Sequence, residues 1–477
     1  MATNAIFQVA FTSVMARALN PSDYGIVAIA NVFLRVFSYF SQLGISTALV
    51  QKQNVSDTDV STATTVSLAI SIGFTMLATV AAPLGAAFFK IDGLTIVIAA
   101  LSLNFILLGA AGISQALLRR ASEFRKLAQI EVVSYVVGYG IFGIGIARYG
   151  GGQWALVGAV LAQSLIVVIL GYWYTRHPIK PAHRLRITDA RFFIDFGSKY
   201  SFIGFIEFLT SNIDSVTVGR AWGAVSAGYY GRANLLANLP VMLPSNLLTR
   251  VMFPILSPMK IGSEDHQRSV LFAIALVGGY ASAVAVGNSW AADDIVKLLL
   301  GNKWVEAVPI LKILAISAIP IYISHVISVC LDSAGALKEK LRIQILTFLA
   351  MVSSILVAYS LDTGLRGIAV GIVVAETIRL ILMMNAARYT LRLTARMLMG
   401  VSSALCISAV SEILALKLAS GLVLNRDPAS RLVIEIFFAI PGAWLGAVIS
   451  SRVVLSAELL TFTRTRFPII ASILQIR

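Results

Sequence analysis

"TATTVSLAISIGFTMLATVAAPLGAAFF", residues 62–89, holds 28 residues without one charge. A helix of that length reaches about 42 Å, more than the roughly 30 Å hydrocarbon core of a bilayer. Runs of the same kind, such as "ILTFLAMVSSILVAYSL" at 345–361, recur along the whole chain. Of the 477 residues, 58% are hydrophobic and 13% charged, against about 25% charged in a soluble domain. Mean hydropathy is +0.84. The chain therefore reads as an all-α integral membrane protein. Helix is the element required, because lipid offers unpaired backbone groups no partner and the runs lack the short alternation of a membrane barrel.

The runs divide into about 14 transmembrane helices, with 12 to 14 the range that uncertain ends allow. Six lie before residue 175 and about eight after it. A basic connection, "RHPIKPAHRLRITDARFFIDFGSK" at 176–199, separates the two groups with six basic residues and two prolines. The expected organisation is an N-lobe of spans 1–6 (1–174), a basic cytoplasmic inter-lobe loop (175–198), a C-lobe of spans 7–12 (199–390), and two additional C-terminal helices with a tail (391–477). Arg and Lys crowd this loop and the connections at 119–126, 338–342 and 388–396, while the alternate connections hold little beyond Lys90, Arg148 and Arg366. That asymmetry puts both termini in the cytoplasm. The formal net charge of +15 belongs to those loops and to anionic lipid rather than to nucleic acid.

A local echo supports two lobes. "SVMARALNPSDYG" (13–25) and "SVTVGRAWGAVSAGYYG" (215–231) both start Ser-Val, pass through Arg-Ala and end Tyr-Gly. An even number of spans lies between them, so the two enter the membrane in the same direction and suggest a parallel repeat. In the first copy Asn20 is placed to cap a helix beginning at Pro21, with Asp23 complementing its positive end and Arg17 closing the helix before it. Arg17, Asp23, Arg220 and Tyr230 are therefore the candidate gate or structural joints.

No phosphate-cradling glycine loop, no paired histidines for a metal and no nucleophile elbow occurs. The chain is read as a non-enzyme without cofactor or metal. The two cysteines, Cys330 and Cys406, lie in separate apolar runs and make no framework. The informative residues are ionisable groups within spans, which are costly in hydrocarbon and face a cavity or a partner. Arg35 stands deep in span 2 with no acid nearby in sequence. Glu207 and Asp214, seven apart in span 7, share a helix face, and Asn212 lies between them. Glu376 and Arg379 have the spacing of an intrahelical pair. Asn4 and Gln8 form a polar stripe on span 1 with Thr12. Two lobes, a deep arginine and scattered amides suit a central cavity for a large, anionic, hydroxyl-rich substrate.

"ARALNPSDYG" (16–25), "TALVQK" (47–52), "NIDSVTVGRAWGAVSAGYYGRANLLANLP" (212–240), "FPILS" (253–257) and "LLGNKWVEAVPILKIL" (299–314), in this order, resemble bacterial Wzx-type polysaccharide and lipopolysaccharide exporters. These form the polysaccharide transporter branch of the multidrug/oligosaccharidyl-lipid/polysaccharide exporter superfamily. The resemblance implies a multi-pass inner-membrane flippase that moves undecaprenyl-pyrophosphate-linked oligosaccharide, an O-antigen or exopolysaccharide repeat, by alternating access. It implies membrane lipid, a glycan polymerase and export machinery as partners. In related lipid II flippases arginines of the first lobe hold the pyrophosphate. Span 1 here has Gln8 and Thr12 where a deep arginine is sought, so Arg35 is the replacement candidate, with Gln8, Asn4 and Asn212 beside it for the pyrophosphate and sugars. Asp214 and Glu207 are the candidates for ion coupling. The alternatives are a drug/cation antiporter of the same superfamily, which prefers an acidic aromatic pocket, and a membrane glycan polymerase or ligase, which places its chemistry in a large periplasmic loop.

Overall fold

The structure, a computed structural model, describes residues 2–41, 45–51, 55–177, 212–240, 252, 255–423 and 427–453. Every long element among them is helical. The first are α1 (Ala2–Ala18), α2 (Pro21–Ser41), α3 (Ile45–Gln51), α4 (Asp57–Phe89), α5 (Leu94–Ser102), α6 (Asn104–Arg120), α7 (Phe124–Tyr135), α8 (Ile144–Arg148) and α9 (Gln153–Thr175). A π-helical segment, Val136–Gly143, joins α7 to α8. Then come α10 (residues 212–240), α11 (Glu264–Trp290), α12 (Ala292–Leu299), α13 (Val308–Ile316), α14 (Ala318–Ser333), α15 (Leu337–Ser360), α16 (Gly364–Thr390), α17 (Ala395–Val423) and α18 (Pro428–Val453). Among the described residues nine helical stretches are long and apolar enough to cross a membrane.

The uncharged run 62–89 lies in α4, whose 33 residues extend about 50 Å. The helix starts before the apolar run because Ser56 and Asp59 form a reciprocal cap. The Asp59 N–H donates to Ser56 Oγ at 3.2 Å and the Ser56 N–H to Asp59 Oδ2 at 3.0 Å. Pro83 stands inside the helix, a position that membrane helices tolerate.

Contacts divide the chain into two compact units, one of residues 1–231 with 299–303, the other of 232–298 with 304–477. In lipid, apolar burial does not by itself drive helices together, so close packing and interhelical hydrogen bonds hold them. The first unit shows both. Ser67 donates to the Gly109 carbonyl at 3.0 Å and Thr75 to the Ser102 carbonyl at 3.1 Å, tying α4 to α6 and α5. Gly138, in the π segment, has no room for a Cβ beside the Gln163 and Ala159 backbone of α9. The second unit packs Ile274, Ile327, Cys330, Met383 and Leu398 into one core from α11, α14, α16 and α17. There the expected pair forms, with Arg379 Nη1 donating to Glu376 Oε2 at 3.5 Å.

The sequence suggests two spans, 199–220 and 230–256, around the second echo. The residues 212–240 are helical on both sides of Gly223, where φ of +75° reverses the chain: Asp214 and Tyr230, which would stand about 24 Å apart on one continuous helix, are hydrogen-bonded across it, so the expected break between the two spans is present. Glycine supplies the left-handed residue that this reversal needs.

Candidate functional site in the first unit

The two echo segments meet each other. A Cβ added at Gly25 of α2 would overlap the Ala224 carbonyl of α10, and one at Gly228 would overlap the Pro21 carbonyl. Each copy thus offers a glycine where the other offers bare backbone. Gly219 continues the contact, its Cβ position falling 2.8 Å from Ile29 Cδ1. This small-residue seam fixes α2 against α10 at backbone distance.

The first joint is a capped helix start. Pro21 occupies the first helical position, and the Asn20 N–H donates to Asp23 Oδ2 at 2.9 Å. The same carboxylate lies 3.0 Å from the Cβ position of Gly152, which precedes α9 at φ +49°. Lys303 Nζ donates to Asn20 Oδ1 at 3.4 Å, and the Arg17 stem lies 3.6 Å from the Cβ position of Gly301. Arg17 closes α1 and is exposed.

Nine residues before Gly223 stands a buried carboxylate. Asp214, 7% exposed, receives the hydroxyl of Tyr230, 1% exposed, at Oδ2, and the Ser215 N–H at Oδ1 at 2.6 Å. Two sequence candidates assigned to different roles, ion coupling and gating, are therefore one hydrogen-bonded pair sixteen residues apart on α10. Because Gly223 lies between them, any change at that joint changes the pair. Replacing Tyr230 by Phe removes the donor from a buried acceptor, an effect of about 1–3 kcal/mol. The expected result is a lower melting temperature in detergent for Tyr230→Phe, and a D214N/Y230F double variant losing less than the sum of the singles.

Arg35 is exposed on α2 and pairs with no acid among the described residues. Gln8 is exposed on α1, and Asn4 lies on the same helix outside the described side chains. Asn212 is half-buried at the first described position of α10. Arg220 is exposed with its guanidinium 5.6 Å from the Phe88 ring centroid, a cation–π contact. Glu207 lies outside the described residues. The motif quoted for its resemblance brings Asp214, Arg220 and Tyr230 into one unit with Arg17 and Asp23.

Among the buried acids outside the sequence candidates are Glu412 on α17 and Glu435 on α18. A lone acid in each of the last two apolar runs is their signal. What the sequence leaves open is whether such an acid meets lipid, water or a neighbouring helix.

The sequence profile of a family described as polysaccharide biosynthesis protein matches residues 14–309. The chain is 26% identical over 280 residues to the teichuronic acid biosynthesis protein TuaB of Bacillus subtilis, covering 58% of this chain and 57% of that one. It is 20% identical over 370 residues to the lipopolysaccharide biosynthesis protein WzxC of Escherichia coli, covering 78% and 75%. Its fold superposes on the lipid II flippase MurJ in an inward closed conformation with a TM-score of 0.75, 13% identity and coverage of 94% and 97%. At that identity the likeness shows the fold, all-α and two-lobed, and nothing of the ligand. The family match spans well over half the chain and includes both echo segments. The chain belongs to the polysaccharide biosynthesis protein family.

Proposed function

We propose that this protein is a flippase or exporter that carries undecaprenyl-pyrophosphate-linked oligosaccharide, an O-antigen or exopolysaccharide repeat unit, across the bacterial inner membrane by alternating access. The observation that carries this reading is the family match over residues 14–309 on a chain whose described residues hold nine helices fit to cross a membrane. A glycan-pathway protein built of membrane helices handles the glycan while it is lipid-linked. The names of its relatives, lipopolysaccharide and teichuronic acid biosynthesis proteins, support a glycan substrate, and the fold shared with a lipid II flippase supports movement of a lipid-linked one.

The physical problem is the polar head. Sugars and pyrophosphate lose their water in hydrocarbon without gaining hydrogen bonds, at a cost of several kcal/mol per group. A polar cavity open to one face at a time removes that cost while the polyprenyl tail stays in lipid. In this reading Arg35 holds the pyrophosphate, since a guanidinium offers a planar fork of donors that matches phosphate oxygens. Gln8, Asn4 and Asn212 supply hydrogen bonds to head group and sugars. Asp214, with Glu207, couples an ion to the cycle, and the joints at Arg17, Asp23, Arg220 and Tyr230 form the outward gate. No bond is made or broken, so the chain is a transporter and not an enzyme. Both termini are cytoplasmic, and a glycan polymerase receives the exported unit.

Deletion of the gene, followed by quantification of lipid-linked intermediates on each face of the inner membrane, tests the reading. The expected result is accumulation on the cytoplasmic face and loss of surface glycan. Repeat units reaching the periplasm at the wild-type rate in a strain lacking other exporters overturn it, and altered drug efflux with normal glycan supports the antiporter instead.

A further inference from the structure

We propose that the hairpin of α17 and α18 contains a proton-binding site at Glu412, with Glu435 as the step that connects it to the Asp427 end of the hairpin. Glu412 stands near the middle of the 29-residue α17 and is 1% exposed. Its Oε2 atom is buried with no hydrogen-bond partner, and Glu412 forms no ion pair among the described residues. Gly287 leaves space beside the carboxyl, and Gly442 lets α18 approach the backbone of α17 at Glu412. Glu412 Oε1 lies 3.7 Å from the Cβ position of Gly287 on α11, and the Cβ position of Gly442 on α18 falls 3.1 Å from Glu412 Cα. A side chain at Gly442 would press on Ala415 and on the Glu412 backbone, whereas the Gly287 position meets the carboxyl at ordinary van der Waals distance.

The surrounding charges do not neutralise it. On its own helix, exposed Lys417 lies five positions on and on another face. On α11 the charged groups Glu264, Asp265, His266 and Arg268 sit at the far end, about 30 Å from Gly287, and the nearer Tyr280 hydroxyl, two turns away, donates to the Pro240 carbonyl at 2.8 Å. On α18 the charged groups are Arg431, Glu435 and, ten residues beyond Gly442, Arg452. An isolated carboxylate at this depth is strongly disfavoured, and binding a cation removes the charge. A metal cation needs several oxygens. The neighbouring Ser411 hydroxyl is already engaged, 2.9 Å from the Ser408 carbonyl and 2.7 Å from that of Gly442. A proton needs one oxygen.

Glu435 supplies continuity. It is 9% exposed, its Oε2 is likewise without a partner, and it shares a face of α18 with Gly442 two turns on, about 10 Å away. Asp294, 7% exposed, and Arg431 are the charged groups that act on it. The carboxyls of Asp294, Glu435 and Glu412 thus lead inward from the hairpin end, which faces the periplasm in the orientation proposed above. That the proton drives export rests on the exporter reading; that Glu412 binds one does not.

Infrared spectroscopy of the full-length protein in liposomes tests the site. The expected spectrum contains a protonated-carboxyl stretching band that fades as pH rises, is unchanged by sodium, shifts in Glu412→Asp and is missing in Glu412→Gln. Glu435→Gln keeps the band but slows its return after a pH drop several-fold. Identical spectra for wild type and Glu412→Gln, a band that persists at every pH, or one displaced by sodium overturns the proposal. In cells, collapsing the proton gradient is expected to lower export of lipid-linked units several-fold in wild type and leave Glu412→Gln at its already low level. Equal sensitivity in both removes the coupling role while leaving the exporter reading intact.

Discussion

Valine at Gly228, or at Gly25, is expected to abolish export and to destroy the folded first unit, with alanine at either position giving a milder form of the same loss. A Cβ at Gly25 overlaps the Ala224 carbonyl and one at Gly228 overlaps the Pro21 carbonyl. In both cases the obstructing atom is backbone, which cannot swing aside as a side chain can. Overpacking a tight interior ordinarily costs about 1–3 kcal/mol, and backbone obstruction at two helices lies at the top of that range or above it. The matched control is Gly73→Ala on α4, where nothing lies within 4 Å of the added Cβ. That change is expected to be neutral or to raise stability by roughly 0.5–1 kcal/mol through helix propensity. Melting of the detergent-solubilised protein, followed by size-exclusion chromatography, separates the two. Gly228→Ala melting with wild-type stability would show that α2 and α10 do not meet through this seam.

The same seam shows what is legible in the chain and what is not. The run at 62–89 announces a membrane helix because charge is absent for longer than a bilayer is thick, a property of consecutive residues. Asn20, Pro21 and Asp23 announce a helix start for the same local reason, and the cap is present. The echo of 13–25 at 215–231 is also legible, but only as a likeness. That the two copies pack face to face depends on which helices are neighbours, which neither copy encodes alone. The π register of Val136–Gly143 is hidden for a related reason. Its residues suit any helix, and the wider turn is a property of hydrogen bonds and of Gly138 meeting α9. Asp214 and Tyr230 each stand out in the sequence, yet their contact crosses a left-handed glycine that composition reads as a break between spans. Glu412 shows the converse, an acid whose presence is plain and whose isolation is a matter of packing.

Replacing Arg35 by alanine is expected to reduce export by about two orders of magnitude with expression unchanged. Arg35 follows the Pro21 end of α2 by fourteen residues, about 21 Å of helix, and is exposed without an acidic partner among the described residues. A charge in that position is stable in the membrane only if water, lipid phosphate or ligand meets it. Truncating a charged group that forms a desolvated hydrogen-bonded pair costs about 2–5 kcal/mol, which corresponds to roughly 30-fold to several-thousand-fold in affinity. Arg35→Lys separates charge from geometry. An ammonium keeps the attraction and loses the planar fork, so an intermediate rate is expected if the partner is a pyrophosphate. A lysine variant equal to wild type would assign Arg35 a general electrostatic role, and an alanine variant exporting at the wild-type rate would remove it from the substrate path. Accumulation of lipid-linked units on the cytoplasmic face in the alanine variant, with melting unchanged, is the combination that places the defect in binding rather than in folding. Gly228 and Arg35 then part cleanly: the first fails by losing the unit that holds the path, the second by losing the contact within it.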